Sequence, residues 1–163
     1  MNQGNEKPTF AITRLALLIP PPVLLLICAA IAYGLSHIKG LSWAMPRQTL
    51  VAVVTLIFAV TIAIAALIPF IKHKTTINPH HIERTRYLIE DGIYAHSRNP
   101  MYLSLALILF AYSYTLSSPL SLLSCFVFVA YLNTFQIAPE EALLKQKFGD
   151  QYQAYCARVR RWC

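Results

Sequence analysis

Two stretches of this sequence hold most of the side chains that could do chemistry. The first, Asp91-Gly-Ile-Tyr-Ala-His-Ser-Arg-Asn-Pro-Met-Tyr102, crowds Tyr94, His96, Arg98, Asn99 and Tyr102 against the start of an apolar run. The second runs from Asn133 through Gln136 to the carboxylate pair Glu140-Glu141. Carboxylates and aromatic faces receive cations, and a guanidinium receives a carboxylate. Asn and Tyr add neutral donors. A ligand carrying both signs of charge would find partners for each. Glu141 or His96 could also act as a base where a nucleophile must shed a proton. Every one of these residues has a plainer reading. Membrane helices routinely carry an aromatic and basic belt at the interface. Acidic pairs commonly complement the positive end of a helix. Arg98 could simply reach up to lipid phosphates, and Asn133 and Gln136 could bond neighbouring helices. His73, His80 and His81 lack the i, i+4 pairing with a carboxylate that a metal site would use, and none of Cys28, Cys125, Cys156 and Cys163 forms a CxxC pair. No metal is expected from them.

The elements that must position these residues are apolar helices. Of 163 residues, 56% are hydrophobic and 13% charged, and the mean hydropathy is +0.50. A soluble domain of this length needs more polar surface. The expected fold class is therefore all-α, an integral membrane helical bundle of about four transmembrane helices, as one domain over 1–163. Leu15 to Ser36 is the first apolar run and contains Pro20-Pro21-Pro22, so its helix must kink there or begin properly after Pro22. Lys7 and Arg14 ahead of that run also fit a secretory leader, but the prolines stand where a leader's apolar core belongs. Leu50 to Phe70 is the second run, and Met101 to Leu116 the third. Ser117-Ser118-Pro119 turns the chain into Leu120 to Ala138, making a helical hairpin over 101–138. Pro139 then fits the first turn of a polar tail helix. Gly149 fits its end, and Gln151 to Arg158 a second short helix. The two N-terminal spans (1–70) carry no motif. The chemistry-bearing residues fall in 71–163.

The net charge of +7 would raise nucleic-acid binding in a soluble protein. Its placement gives another account. With four spans, Lys7, Arg14, Lys72, Lys74, Arg84, Arg86, Arg98, Lys145, Lys147, Arg158, Arg160 and Arg161 share one side, against Lys39 and Arg47 on the other. That bias puts both termini and both polar stretches in the cytoplasm, with membrane lipids rather than nucleic acid as the partner.

The string LIEDGIYAHSRNPMY, followed after a hairpin by PEEALLKQKFGDQYQAYCARVRRW, resembles the isoprenylcysteine carboxyl methyltransferase family of integral-membrane enzymes. The phospholipid N-methyltransferases are related to it. The likeness covers about Thr75 to Trp162 and rests on the combination G-x-Y, R-x-P-x-Y, E-E-x-x-L and F-G-x-x-Y-x-x-Y. It implies an enzyme that takes a methyl group from S-adenosylmethionine, in a direct displacement that needs no metal. The acceptor it implies is lipidic or a prenylcysteine-like carboxylate. A phospholipid or other amine is the alternative, as is a non-catalytic membrane binding or assembly protein that keeps the fold. By resemblance, Tyr94, Asn99, Pro100, Met101, Tyr102 and Glu140 contact the cofactor, with the stretch Arg86, Tyr87, Leu88 and Ile89. Arg98 and Glu141 take the catalytic roles, and Gln136 and Asn133 hold the acceptor. The sequence departs from the eukaryotic pattern at Arg86 and Asn99, where that family has His. It also departs at Gln136, where the family has Arg, and at Ser104, where it has Gly. The small size points to a bacterial inner membrane protein.

Overall fold

The computed structural model describes residues 19–38, 46–72 and 87–163, and every regular element among them is helical. Arg86 of the expected cofactor stretch lies outside the described residues, as do Lys7, Arg14, Lys39, His73, Lys74, His80, His81 and Arg84. Helix α1 is Pro21–Ser36, α2 is Gln48–Lys72 and α3 is Pro100–Thr115. A single 3₁₀ turn, Pro119–Leu122, leads into α4, Leu123–Tyr131. A widened π turn, Leu132–Ile137, passes directly into α5, Ala138–Arg158. A second 3₁₀ turn, Gly92–Ala95, precedes α3.

The three prolines start α1. Pro20 takes an extended conformation (φ −57°, ψ 136°), and the helix begins on Pro21, where a missing N–H costs nothing. Pro100 begins α3 in the same way, with Asn99 as the flanking residue. Sixteen residues give α1 and α3 a length of about 24 Å each. The longer α2 and the continuous helix from Pro119 onward are each long and apolar enough to cross a membrane.

The helices alternate in direction, so the bundle has two ends. At one end the Gln48 amide donates to the Tyr114 carbonyl at 3.0 Å and to Ser117 Oγ at 2.8 Å. Ser117 itself makes the sharp turn at φ 52°. There Ser121 Oγ donates to the Ala32 carbonyl of α1 at 2.8 Å, and Ser113 Oγ of α3 and Ser124 Oγ of α4 share a hydrogen bond at 3.3 Å. Small hydroxyls of this kind join helices where lipid offers no hydrogen-bond partner. Between the ends, Leu24, Cys28, Leu109, Phe128, Leu132 and Ile137 form the core. Helix α2 buries a line of mostly small residues, Ala52, Ala59, Ile62 and Ala66, and packs along α3. Its other face exposes Val54, Ile57, Phe58, Ile64, Ile68 and Ile71. In water so large an apolar face would demand a partner; here it faces hydrocarbon.

The opposite end carries the polar stretches. Gly92 has φ +61°, a conformation side chains resist, and a Cβ there would sit 3.8 Å from Pro69 Cγ of α2. The glycine thus seats the loop on the end of α2, and the Tyr94 ring meets Phe70 edge-on at 5.8 Å.

The tail differs from its expected form. No boundary separates α4 from α5, because Tyr131, Ile137 and Ala138 all keep helical dihedrals. The widened turn falls just before Pro139, whose ring would crowd the carbonyl four residues back in a regular helix. Glu140 and Glu141 therefore stand inside a continuous helix rather than at a free N-terminus, and complementing a helix end no longer accounts for them. The break expected at Gly149 is present (φ 53°, ψ −124°) and divides the tail into two helical arms.

Candidate active site

The loop ahead of α3 and the start of α5 meet at the polar end of the bundle. Tyr102, in the first turn of α3, donates from its hydroxyl to Glu140 Oε1 at 2.5 Å. This bond ties together two residues that belong to separate motifs 38 positions apart. Burial pushes the Glu140 carboxyl up to about 7; the Tyr102 bond opposes the shift and the neighbouring charge of Glu141 adds to it. Glu140 lies past the apolar part of its helix, so this shift belongs to the membrane surface rather than the bilayer centre. Tyr94 is buried in its 3₁₀ turn. Its hydroxyl pKa is raised, mainly by burial and then by the nearby Tyr155 and Glu140. Tyr155 in turn donates to the Tyr94 carbonyl at 2.7 Å. Tyr94, Tyr102 and Glu140 are thus one electrostatically connected group.

A second group lies beside it. Glu141 pairs with Arg98 (Nη1 to Oε1, 3.3 Å) and with both sides of the Arg161 fork (Nε to Oε1, 3.1 Å; Nη2 to Oε2, 2.6 Å). Arg98 Nη1 also donates to Cys156 Sγ. Arg98 Nε is buried and has no hydrogen-bond partner among the described residues. A buried guanidinium N–H left unpaired is costly unless something supplies an acceptor.

The remaining expected residues have settled places. The Asn99 amide donates to the Arg161 carbonyl at 3.0 Å. Pro100 is buried, and Met101 is half-buried beside it. Leu88 packs on the tail cluster of Tyr152, Tyr155 and Val159, Ile89 is half-buried, and Tyr87 is exposed. His96 is exposed and stands apart from Glu140 and Glu141 in the hydrogen-bonding network. Gln136 is fully buried and donates to the Ile19 carbonyl at 2.8 Å. Asn133 Oδ1 accepts from Trp162 Nε1 at 3.1 Å. Both side chains sit in the widened turn, a distortion often found at functional sites, but each has a partner within the protein.

Reading the sequence missed Arg161 and Trp162 as parts of this site. Arg161 counted only toward the charge bias, and Trp162 only as the end of a motif. One signal was present: a Trp in a polar segment needs an acceptor for its N–H.

The phospholipid methyltransferase family model matches residues 47–151, from the beginning of α2 through the first part of the tail. The chain belongs to the phospholipid methyltransferase family. That family lies in the isoprenylcysteine carboxyl methyltransferase-like group of membrane methyltransferases, as the motifs of the loop and tail imply. Membership makes the chain a membrane methyltransferase in general terms and gives the apolar helices their setting. A Haemophilus influenzae (strain ATCC 51907 / DSM 11121 / KW20 / Rd) protein described as "Uncharacterized protein" is 50% identical over 62 residues, covering 38% of this chain and 98% of that protein. No solved structure matches the chain. Among the described residues no three of His, Cys, Asp and Glu cluster as a metal site would.

Proposed function

We propose that the protein transfers a methyl group from S-adenosylmethionine to a lipid-borne acceptor at the cytosolic surface of the membrane. The observation that carries this reading is the Tyr102–Glu140 pair at the mouth of the bundle. It supplies a carboxylate inside a helix, beside two aromatic rings, where no role at a helix end explains it. S-adenosylmethionine, when bound, supplies an electrophilic methyl group on a sulfonium. Glu140 and the faces of Tyr94 and Tyr102 fit its cationic groups. The unpaired Arg98 Nε fits its carboxylate. Asn99, Pro100, Met101 and the Arg86–Ile89 stretch would complete the cofactor's surroundings, and residues 71–163 would make up the methyltransferase core. Arg98 and Glu141 keep their catalytic assignment within this proposal. The Arg98 guanidinium bridges the loop and α5, holding the reacting groups in register. Leu144 and Phe148 on the first arm of the tail pack toward the second arm, and such a roof limits water at the reacting carbon. Gln136 and Asn133, in the widened turn before Glu140, would hold an acceptor head only by exchanging their present partners.

The test of the cofactor reading is calorimetry in detergent with S-adenosylmethionine. Glu140→Gln and Tyr94→Ala should each weaken binding by about tenfold or more, the size of a lost charge-assisted contact. Unchanged affinity in both variants would sink the assignment. A second reading follows from the family's description as phospholipid methyltransferases: the acceptor is a head-group amine. An amine must lose a proton before it attacks, and Glu140, held up at about 7, is placed to accept one. In that case Glu140→Gln lowers turnover and leaves cofactor affinity intact. Lipid extracts labelled from methyl-labelled donor separate the products. A carboxyl ester releases its label as methanol in base, and an N-methyl group keeps it.

A further inference from the structure

The segment after α5 runs back across the site. Val159 leaves the helix in an extended conformation (φ −121°, ψ 130°). The Arg98 backbone N–H donates to the Arg160 carbonyl at 3.0 Å, and the Asn99 amide to the Arg161 carbonyl. Through these bonds the segment holds the loop ahead of α3. Its side chains hold the other wall. Arg161 grips Glu141 with two N–H groups and also reaches Asn133 Oδ1 at 3.5 Å. Trp162 bonds the same oxygen and, like Tyr102, packs on the core. Glu141 follows Glu140 directly, so fixing Glu141 fixes the helical turn that presents Glu140.

The geometry points to Arg161 as a positioning residue: it sets the distance between the Arg98–Tyr102 wall and the Glu140 wall, and so the affinity for the methyl donor. Its backbone acts on the first wall and its side chain on the second. A fork gripping both carboxylate oxygens fixes orientation as well as distance, which a single ammonium cannot do. Trp162 supports it by filling the acceptor oxygen of Asn133, and this gives Asn133 a place in the scaffold of the site. The inference rests on the cofactor reading above, and its test separates the two.

The full-length protein in detergent is titrated with S-adenosylmethionine as wild type, Arg161→Gln, Arg161→Lys, Glu140→Gln, Glu141→Gln and the Arg161→Gln/Glu141→Gln double variant. Arg161→Gln should weaken binding about tenfold, with Arg161→Lys between it and wild type, since a small displacement of a binding group has costs of this order. The decisive readout is the cycle. If Arg161 acts through Glu141, its replacement has little further effect once Glu141 is Gln, whereas a general loosening of the fold would make the two losses add. Additive losses overturn the proposal. So does unchanged affinity in both Arg161 variants alongside weakened binding in Glu140→Gln, which leaves the cofactor reading standing. A wild type that does not bind the donor overturns both. Arg161→Lys keeps the charge and serves where the glutamine variant fails to fold.

Discussion

Glu140 shows how far a residue's surroundings exceed what its sequence position tells. Its sequence neighbours describe an acidic pair after a proline, and only the fold adds Tyr102, the adjacent Tyr94 and a raised carboxyl. The shift has consequences in pH. The folded carboxyl titrates at about 7 against an ordinary 4.5. Between those values the folded protein holds a proton that the unfolded chain has lost. Stability from this group is therefore fully present below the lower value and is lost as pH rises through the higher one. A cation bound against Glu140 needs the ionised form, so its affinity runs the opposite way. Below about pH 7, affinity for S-adenosylmethionine should fall by up to about tenfold per pH unit in wild type. It should stay flat in Glu140→Gln. Titrations across that range check both slopes, and parallel slopes would remove Glu140 from the cation's surroundings. Tyr94, Arg98, Asn99, Tyr102 and Glu140 were legible because residue type and spacing carry a motif. Arg161 and Trp162 were not, because their partners Glu141 and Asn133 lie 20 and 29 positions away; the indole signals that it needs an acceptor, but nothing local says which.

Among the elements, hydropathy located α2 and α3 to within two residues at each end, and the prolines marked the starts of α1 and α3. It could not foresee that α4 and α5 would join, since a proline after an apolar run reads as a new helix. The widened turn absorbs Pro139 and keeps the helical path, which depends on backbone accommodation rather than on any residue preference. Gly149 was legible, and it gives a clean test. Its backbone (φ 53°, ψ −124°) is one that side chains rarely adopt, and a Cβ there would touch nothing within 4 Å. Gly149→Ala should therefore act through the backbone alone, costing about 1–3 kcal/mol. Chemical denaturation in detergent measures it. A neutral result would mean that the angle between the two arms can relax without loss. The second arm is held to the loop by Tyr155 and by the Arg158–Glu90 pair at 2.5 Å, so donor affinity should weaken in the same variant.

For the whole molecule, charge placement and geometry agree on two unlike ends. Lys72, Arg98, Arg158 and Arg161 gather where the loop meets the tail, while Arg47 lies by the α3–α4 turn. If the basic end is cytoplasmic, a cysteine placed at exposed Thr115 should react with an impermeant thiol reagent outside intact cells. One placed at exposed Gln153 should react only after the membrane is opened, as should the native exposed Cys163. The reverse pattern would invert the topology. The bond from the Arg98 backbone to the Arg160 carbonyl also dictates an order in time. At about 5–20 residues per second, a ribosome needs roughly 3–12 s to travel from one of these residues to the other. By the end of that interval α1 to α3 can already be in the bilayer while the loop ahead of α3 still lacks its second side. On the proposed cofactor reading, the nascent protein is then a membrane resident before it can bind the donor. Chains arrested short of Arg160 should insert and resist extraction yet fail to photo-crosslink to the methyl donor. Crosslinking by such a chain would show that the loop takes its shape unaided.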